Sequence, residues 1–321
     1  MGKSLVSVII PTYNRAAMLE EAIQSALRQT CRPAEVIVVD DASKDSTRAA
    51  LESVARRDAR VRPLFLEKNR GPAGARNAGV AAAKGDVVAF LDSDDLWHAD
   101  HLESATGLLE SHGDIDVVFA DIQRVNAAGT PLGGALLWDQ RHIRRHLTPL
   151  TSPPAQEWFA LVRPAVEVLL EEYIVPMQTM VLRSSAAKAC HFDESFRVAE
   201  DYDFTLRLAR AGHRFGFVKG VRCRWVIHDQ NLVSNDASGS YYAGQQARVW
   251  LSLLSEPAMS SAARRLLRRR ISKWHFDEAY HRRQAGERGA AFRLYLRSWA
   301  VMPSWRSIRA AIAATLIPGS H

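Results

Sequence analysis

Along the first 120 residues, short β-branched runs alternate with stretches whose apolar residues recur at helical spacing. The pattern predicts strands at Leu5–Ile10, Val36–Val39, Val61–Leu66, Val87–Leu91 and Asp116–Ala120. Helices are expected between them at Ala16–Gln29, Ser46–Arg57, Ala73–Lys84 and Asp100–His112, each opening near a Gly, Ser or Asp. Such apolar strands joined by helical crossovers call for an α/β fold with a mostly parallel, Rossmann-like sheet covered on both faces. In sheets of this kind, ligands gather beyond the carboxyl ends of the strands. There the chain carries Pro11-Thr12-Tyr13-Asn14, Asp40-Asp41, Asn69-Arg70-Gly71 and Asp92-Ser93-Asp94-Asp95, so four strand ends present polar groups to one edge.

Residues 121–238 are less regular. Gly129, Gly133, Gly134, Pro149, Pro153 and Pro154 mark loops, and an apolar helix is expected near Glu157–Glu172. From 239 to 321 the pattern turns helical. Leu267, Ile271 and Trp274 fall at i, i+4 and i+7, while Arg264, Arg265, Arg268 and Arg269 take another face. Two further helices, 272–284 and 290–301, are joined through Gly286-Glu287-Arg288-Gly289. The reading is therefore of two halves of one α/β domain, 1–120 and 121–238, followed by a helical extension, 239–321.

With 321 residues, 47% of them hydrophobic and 24% charged, the chain can bury a sizeable core, which excludes a disordered or fibrous protein. Cys31, Cys190 and Cys223 form no CxxC pair, so neither a disulfide framework nor a zinc knuckle fits, and a reducing cytoplasm is expected. Pro11 ends the first apolar run too early for a signal peptide, and no apolar stretch approaches the roughly 18 residues of a membrane span. Charge changes the picture more. Residues 241–321 carry 14 Lys/Arg against 4 Asp/Glu, whereas the first 240 carry 28 against 31. A mildly acidic body with a basic tail suggests that chemistry and docking lie in different segments.

Asp92, Asp94 and Asp95 stand directly after the apolar strand Val87–Leu91, where unpaired burial of three carboxylates is costly. Mg²⁺ or Mn²⁺ takes one or two carboxylates plus substrate phosphate oxygens and would answer them. An acidic helix start, favoured by the helix dipole, explains the same residues.

The motifs at the other strand ends add weight to the metal reading. Val6-Ser7-Val8-Ile9-Ile10-Pro11-Thr12-Tyr13-Asn14-Arg15, Val36-Ile37-Val38-Val39-Asp40-Asp41-Ala42-Ser43, Asn69 to Gly79, Leu91-Asp92-Ser93-Asp94-Asp95, Phe192-Asp193-Glu194-Ser195, Ala199-Glu200-Asp201-Tyr202-Asp203 with Arg207, and His228 with Asn231, Leu232, Val233 and Ser234 follow in this order. Together they resemble the family 2 glycosyltransferases, enzymes of the GT-A fold, over about residues 4–235.

The resemblance implies that Asp41 accepts the ring N–H of a nucleotide base, with Pro11 and Tyr13 packed near it; a helix cap beside Ser43 is the plainer role for Asp41. Arg76 would lie near the ribose or diphosphate, or form a structural salt bridge. Asp94 would ligate the metal, Asp92 would face the ribose and metal-bound water, and His228 would complete the metal or diphosphate site, although a His after an apolar run is also an ordinary structural residue. Of the three aspartates Asp95 is the one least tied to a role, and Asp40 and Ser93 stay outside the direct contacts. The resemblance implies a single inverting displacement with Asp201 as base and Glu200 orienting the acceptor or loop, while an acidic helix start explains the same pair. Trp97 lines a sugar pocket or sits in the core.

The expected function is metal-dependent transfer of a sugar from a nucleotide-sugar donor, UDP-linked, to a glycan or lipid-linked glycan in envelope polysaccharide synthesis. A sugar nucleotidyltransferase would carry a basic Gly-rich loop after its first strand, which Pro11-Thr12-Tyr13-Asn14-Arg15 is not. A non-catalytic scaffold docking through its basic tail is the other alternative. Within 260–321, the arginines and Trp274, Phe276, Trp299 and Trp305 suit a peripheral site on an anionic membrane or the solvated face of a helical hairpin. No nucleic-acid module accompanies the charge.

Overall fold

The computed structural model describes residues 4–139, 141–154, 156–162, 164–229, 231, 240–256 and 259–316. The chain divides into two compact units, 1–169 with 173–231, and 170–172 with 232–321.

In the first unit the elements run β1 (Val6–Thr12), α1 (Leu19–Leu27), β2 (Glu35–Asp40), α2 (Thr47–Arg57), β3 (Val61–Phe65), α3 (Gly71–Ala82), β4 (Val87–Phe90), β5 (Leu96–Trp97), α4 (His101–Ser111) and β6 (Val117–Asn126). Then come α5 (Arg141–Arg144), β7 (Leu147–Pro149), β8 (Trp158–Leu161), α6 (Ala165–Glu171), β9 (Val181–Arg183), α7 (Ser184–Ala189), α8 (Glu200–Arg210) and β10 (Phe215–Ile227). The strands form one mixed sheet in the order β3-β2-β1-β4-β9-β6-β10-β8-β7, with β5 on β10. β3, β2, β1 and β4 are mutually parallel, and β9 joins them antiparallel to β6.

Every residue of β1, β2 and β4 is buried, which is why these strands read as continuous apolar runs rather than alternating ones. Gly85 lets the chain enter β4 tightly, since a Cβ there would lie 2.5 Å from the Leu5 carbonyl oxygen. One face of the sheet packs on α1, α2 and α4 through Leu19, Ile23, Leu51, Leu102 and Leu108. On β4, Phe90 meets Phe192 and Phe204 edge-on at 5.5 and 6.2 Å, and those two rings stack at 3.9 Å. This trio anchors α8, and with it Glu200 and Asp201, against the central strand.

The apolar run expected to form a helix over 157–172 divides: Trp158–Leu161 is β8, antiparallel to β10, and only Ala165–Glu171 is helical. An apolar run this short has no periodicity that separates a buried strand from a helix.

The second unit contains α9 (Ser240–Leu254), α10 (Ser261–Gln284), α11 (Arg288–Val301) and α12 (Trp305–Leu316). α10 buries Ala263, Leu267, Ile271, His275 and Ala279 in steps of four, so His275 takes the place expected of Trp274. The expected 272–284 helix is the second half of this longer one. Gly286, at φ +81°, makes the turn into α11. Ser272, Ser298 and Ser307 link the three helices by hydroxyl bonds of 3.0 and 3.1 Å, and small residues such as Ala291 and Ala311 permit the approach.

Candidate active site

Beyond β1, Tyr13 is 39% exposed, and Asn14 adopts a left-handed φ of +52°. Asn14 is fixed by two bonds to the loop after β2: its N–H donates to Ser43 Oγ at 2.9 Å, and its Oδ1 accepts from the Lys44 N–H at 2.8 Å. The next N–H, of Arg15, donates to Thr47 Oγ1 at 2.9 Å. Pro11 is buried within β1. Asp41, 3% exposed, accepts the N–H groups of Arg70 at 2.7 Å and Gly71 at 2.8 Å, the opening amides of α3. Burial raises its pKa, and the two N–H bonds oppose the rise. Asp41 thus caps α3 rather than the helix beside Ser43, whose N–H goes to Asp40 Oδ1 at 3.0 Å. A carboxylate has about four acceptor sites, so two bonds leave Asp41 able to take a further donor.

Beyond β4 the three carboxylates take different surroundings. Asp95 is 1% exposed and accepts the Val226 N–H at 3.0 Å, a tie to β10; burial, then Asp94 and Asp92, push its pKa well up. It is a structural anchor. Asp94 faces His228, whose Nε2 is 3.1 Å from Oδ2, and Arg15, whose guanidinium is 3.5 Å from the same oxygen. Burial and Asp92 raise the Asp94 pKa against those two partners. The His228 N–H donates to Asn231 Oδ1 at 2.6 Å, and Asn231 Nδ2 donates to the Val226 carbonyl at 3.1 Å, so Asn231 fixes the turn that aims the imidazole.

Arg76 joins this side to the other. From α3, its Nη2 donates to Asp92 and its Nη1 to Glu200, both at 2.7 Å, and its side chain is 5% exposed. Glu200 opens α8; burial lifts its pKa to about 7, with Arg76 opposing and Asp201 adding to the rise. Asp201, raised chiefly by burial, accepts the Tyr173 O–H on Oδ2 at 2.9 Å and the Tyr202 N–H on Oδ1 at 2.7 Å. Ala199, just before them, is held at φ +64°. Around this pair, Arg70 pairs with Glu194, and Asn77 donates to the Phe192 carbonyl at 3.0 Å, so α3 clamps the segment leading into α8. The non-glycine residues with left-handed φ among those described, Asn14, Ala42 and Ala199, each adjoin an expected site residue. Strain kept at such positions is characteristic of functional loops.

The site therefore holds an Asp94–His228–Arg15 group and an Asp92–Arg76–Glu200 bridge with Asp201 next in sequence to Glu200, while Asp41 caps the helix that supplies Arg76. The salt-bridge reading of Arg76 holds: it is a buried double ion pair with Asp92 and Glu200. Trp97 is a core residue: it is 6% exposed, and its Nε1 donates to the Gln178 carbonyl at 2.7 Å. Residues 232–234 of the expected loop lie outside the described residues. Arg15 and Tyr173 were not assigned from the sequence. Arg15 ends the opening motif and was a visible candidate; nothing in the sequence ties Tyr173 to a carboxylate 28 residues away.

Among the described residues, no group of three or more His, Cys, Asp and Glu side chains is placed to hold a metal ion. Asp94 and His228 instead pair with each other at 3.1 Å, and Asp92 pairs with Arg76.

The model of the family described as glycosyl transferase family 2 matches residues 7–167. Succinoglycan biosynthesis protein ExoO of Rhizobium meliloti is 33% identical over 287 residues, covering 89% of this chain and 74% of that protein. The putative teichuronic acid biosynthesis glycosyltransferase TuaG of Bacillus subtilis is 46% identical over 101 residues, 32% of this chain and 40% of TuaG. An uncharacterized glycosyltransferase of Rickettsia felis is 43% identical over 124 residues, 39% of this chain, which spans only 20% of that relative's length. In structure, the chain is similar to S. aureus TarS at TM-score 0.65 and 20% identity, covering 97% of this chain and 52% of that one. It is also similar to the mannosyltransferase PcManGT of Pyrobaculum calidifontis, solved with GDP-Man and Mn2+, at TM-score 0.59 and 18% identity over 98% and 81% of the two chains. Both share the GT-A-like mixed sheet. By its matched domain and its likeness to ExoO over most of its length, the chain belongs to glycosyl transferase family 2 and is a glycosyltransferase.

Proposed function

We propose that the protein transfers a sugar, with inversion, from a nucleotide-sugar donor to a hydroxyl of a growing or lipid-linked glycan in polysaccharide biosynthesis. The observation that carries this reading is the Asp92–Arg76–Glu200 bridge, which links the acidic cluster beyond β4 to the start of α8, where Asp201 stands next to Glu200. Relatives named for succinoglycan and teichuronic acid synthesis support a polysaccharide product, and TarS solved with UDP-GlcNAc supports a UDP-linked donor. No helix is long and apolar enough to cross a membrane among the described residues. Free Cys31, Cys190 and Cys223 fit the proposed cytoplasmic site of action.

In this mechanism Asp41 accepts a base N–H, and Pro11 and Tyr13 flank the base. Asp94 and His228, with Asp92 nearby, would hold Mn2+ or Mg2+, which when bound neutralises the departing diphosphate. The acceptor oxygen attacks the anomeric carbon as the bond to the nucleotide diphosphate breaks; the hydroxyl proton passes to Asp201, and the electron pair leaves with the diphosphate. Tyr173 and the Tyr202 N–H hold Asp201 ionised and aimed, and Glu200, pinned by Arg76, positions it. The test is a panel of nucleotide sugars with Mn2+ or Mg2+, reading free nucleotide. Release from one donor, abolished in Asp94→Asn, supports the reading. Silence across the panel together with no nucleotide binding by calorimetry overturns it.

A further inference from the structure

No residue assigned to sugar transfer lies in the second unit, and that unit carries a concentration of exposed apolar side chains. Ten large hydrophobic side chains are exposed among the described residues, and six of them, Tyr280, Leu296, Trp299, Met302, Trp305 and Ile312, fall within 280–312. Scattered apolar side chains are ordinary on a protein surface, whereas a concentration of them marks an interaction site. Trp305 is the extreme case at 81% exposure.

Helical spacing places these side chains in stripes. On α11 the buried side is Ala291, Tyr295 and Ser298. Arg293, Leu296 and Trp299 follow at steps of three on the opposite side, all exposed. On α12 the buried positions are Ser307, Ala311 and Ala314, while Trp305, Arg309 and Ile312 fall at i, i+4 and i+7, also exposed. Met302 lies in the link between the two helices. Each stripe therefore mixes bulky apolar groups with an arginine.

The charge identifies the partner. From Arg288 to the end of the sequence there are five arginines and no Asp or Glu. Arg306 lies flat on Phe276, its guanidinium carbon 4.4 Å from the ring centre, which holds that charge beside Trp305. A second copy of this chain would bring the same positive surface to the contact, and like charges would oppose it. A soluble acidic protein would satisfy the arginines and leave the tryptophans, which favour the water–bilayer boundary, without their preferred surroundings. An anionic bilayer answers both: headgroup phosphates take the arginines, and the interfacial layer takes Trp299, Trp305 and Ile312.

We infer that the exposed α11–α12 surface is a peripheral docking site for anionic phospholipid bilayers. It goes beyond the transfer reaction and stands whether or not the donor assignment holds.

The test uses the full chain in flotation with vesicles of phosphatidylcholine alone and of phosphatidylcholine with phosphatidylglycerol. Binding is expected to the second and not the first, and to weaken at high salt. Trp299→Ser/Trp305→Ser/Ile312→Ser is expected to lower the vesicle partition constant at least about tenfold. Arg306→Glu/Arg309→Glu is expected to lower it by a similar factor. Circular dichroism and nucleotide release are expected to be unchanged in both. Absence of binding to the anionic vesicles, or partition undiminished in both variants, overturns the inference. So does a wild-type dimer in light scattering that the tryptophan variant converts to monomer, which would make this surface a contact between copies.

Discussion

Replacing Arg76 by methionine tests the bridge at the centre of the site. Arg76 and Glu200 are 4% and 6% exposed, and a 2.7 Å bond joins them. Removing the cation leaves Glu200 buried without its partner, a change that typically costs about 3–5 kcal/mol. The second bond, to Asp92, adds little because the Asp92 side chain is 31% exposed and water can replace the contact. Because Glu200, with a folded pKa of about 7, can take up a proton for about 1.4 kcal/mol at pH 8, a loss of about 1–2 kcal/mol is expected there, measured by urea denaturation with linear extrapolation. The sign with pH follows from Glu200. Its folded pKa, raised to about 7, means that it becomes neutral as pH falls. A neutral Glu200 needs no counter-charge, so the loss should shrink between pH 8 and pH 5. Glu200→Leu combined with Arg76→Met replaces the pair by apolar groups and should cost at least about 1 kcal/mol less than the sum of the single changes. A single-variant loss under about 1 kcal/mol at pH 8, or strict additivity of the two changes, would refute the bridge as described.

Three further outcomes follow from the geometry. His101 is 1% exposed, neither ring nitrogen has a hydrogen-bond partner, and burial lowers its pKa to about 3. Below pH 6.5 the unfolded chain takes up a proton that the folded one refuses, at about 1.4 kcal/mol per pH unit. His101→Leu should thus reduce the stability lost between pH 7.5 and pH 5 by about 2 kcal/mol; an unchanged difference in denaturation midpoints would count against it. Ala199 at φ +64° carries a left-handed penalty of about 1–2 kcal/mol, of which glycine's entropy takes back up to about 1. Ala199→Gly should raise thermal stability by about 0.5 kcal/mol, and a lowered melting temperature would contradict that strain. Since burial raises the pKa of both Asp201 and Glu200, kcat/KM should fall as pH drops while the rate still lies above the ordinary carboxylate range. An acid limb near pH 4 would deny Asp201 its described surroundings.

The parts of this molecule that could be read from its sequence share one property: a single short stretch of chain determines them. β1, β2 and β4 are buried on both faces, so their residues are apolar without interruption, and their polar ends stand out directly after them. β10 is harder, because after Val218 its residues, the buried Cys223 apart, are partly buried or exposed and include Lys219, Arg222 and Arg224. Trp158–Leu161 reads equally well as helix, since only its pairing with β10 distinguishes the two. The same division runs through the site. Asp41, Asp94 and Asp201 follow from local motifs. The partners that define their chemistry come from far along the chain: Glu200 is 124 residues from Arg76, and His228 is 134 from Asp94. The role of Asp41 shows the limit most clearly. Its neighbour Ser43 suggests a local cap, yet its carboxylate reaches the amides of Arg70 and Gly71 about 30 positions on.

The most direct test of two carboxylate groups with separate duties compares nucleotide binding and turnover in Asp94→Asn and Asp201→Asn. With Mn2+ present, calorimetry should find nucleotide binding by Asp201→Asn within about twofold of the unaltered protein, and its sugar transfer slowed at least about 100-fold. Asp94→Asn should lose the metal-dependent part of the binding itself. Sugar transfer by Asp201→Asn at the unaltered rate would contradict the assignment of the base, and with it the division of labour across the Arg76 bridge.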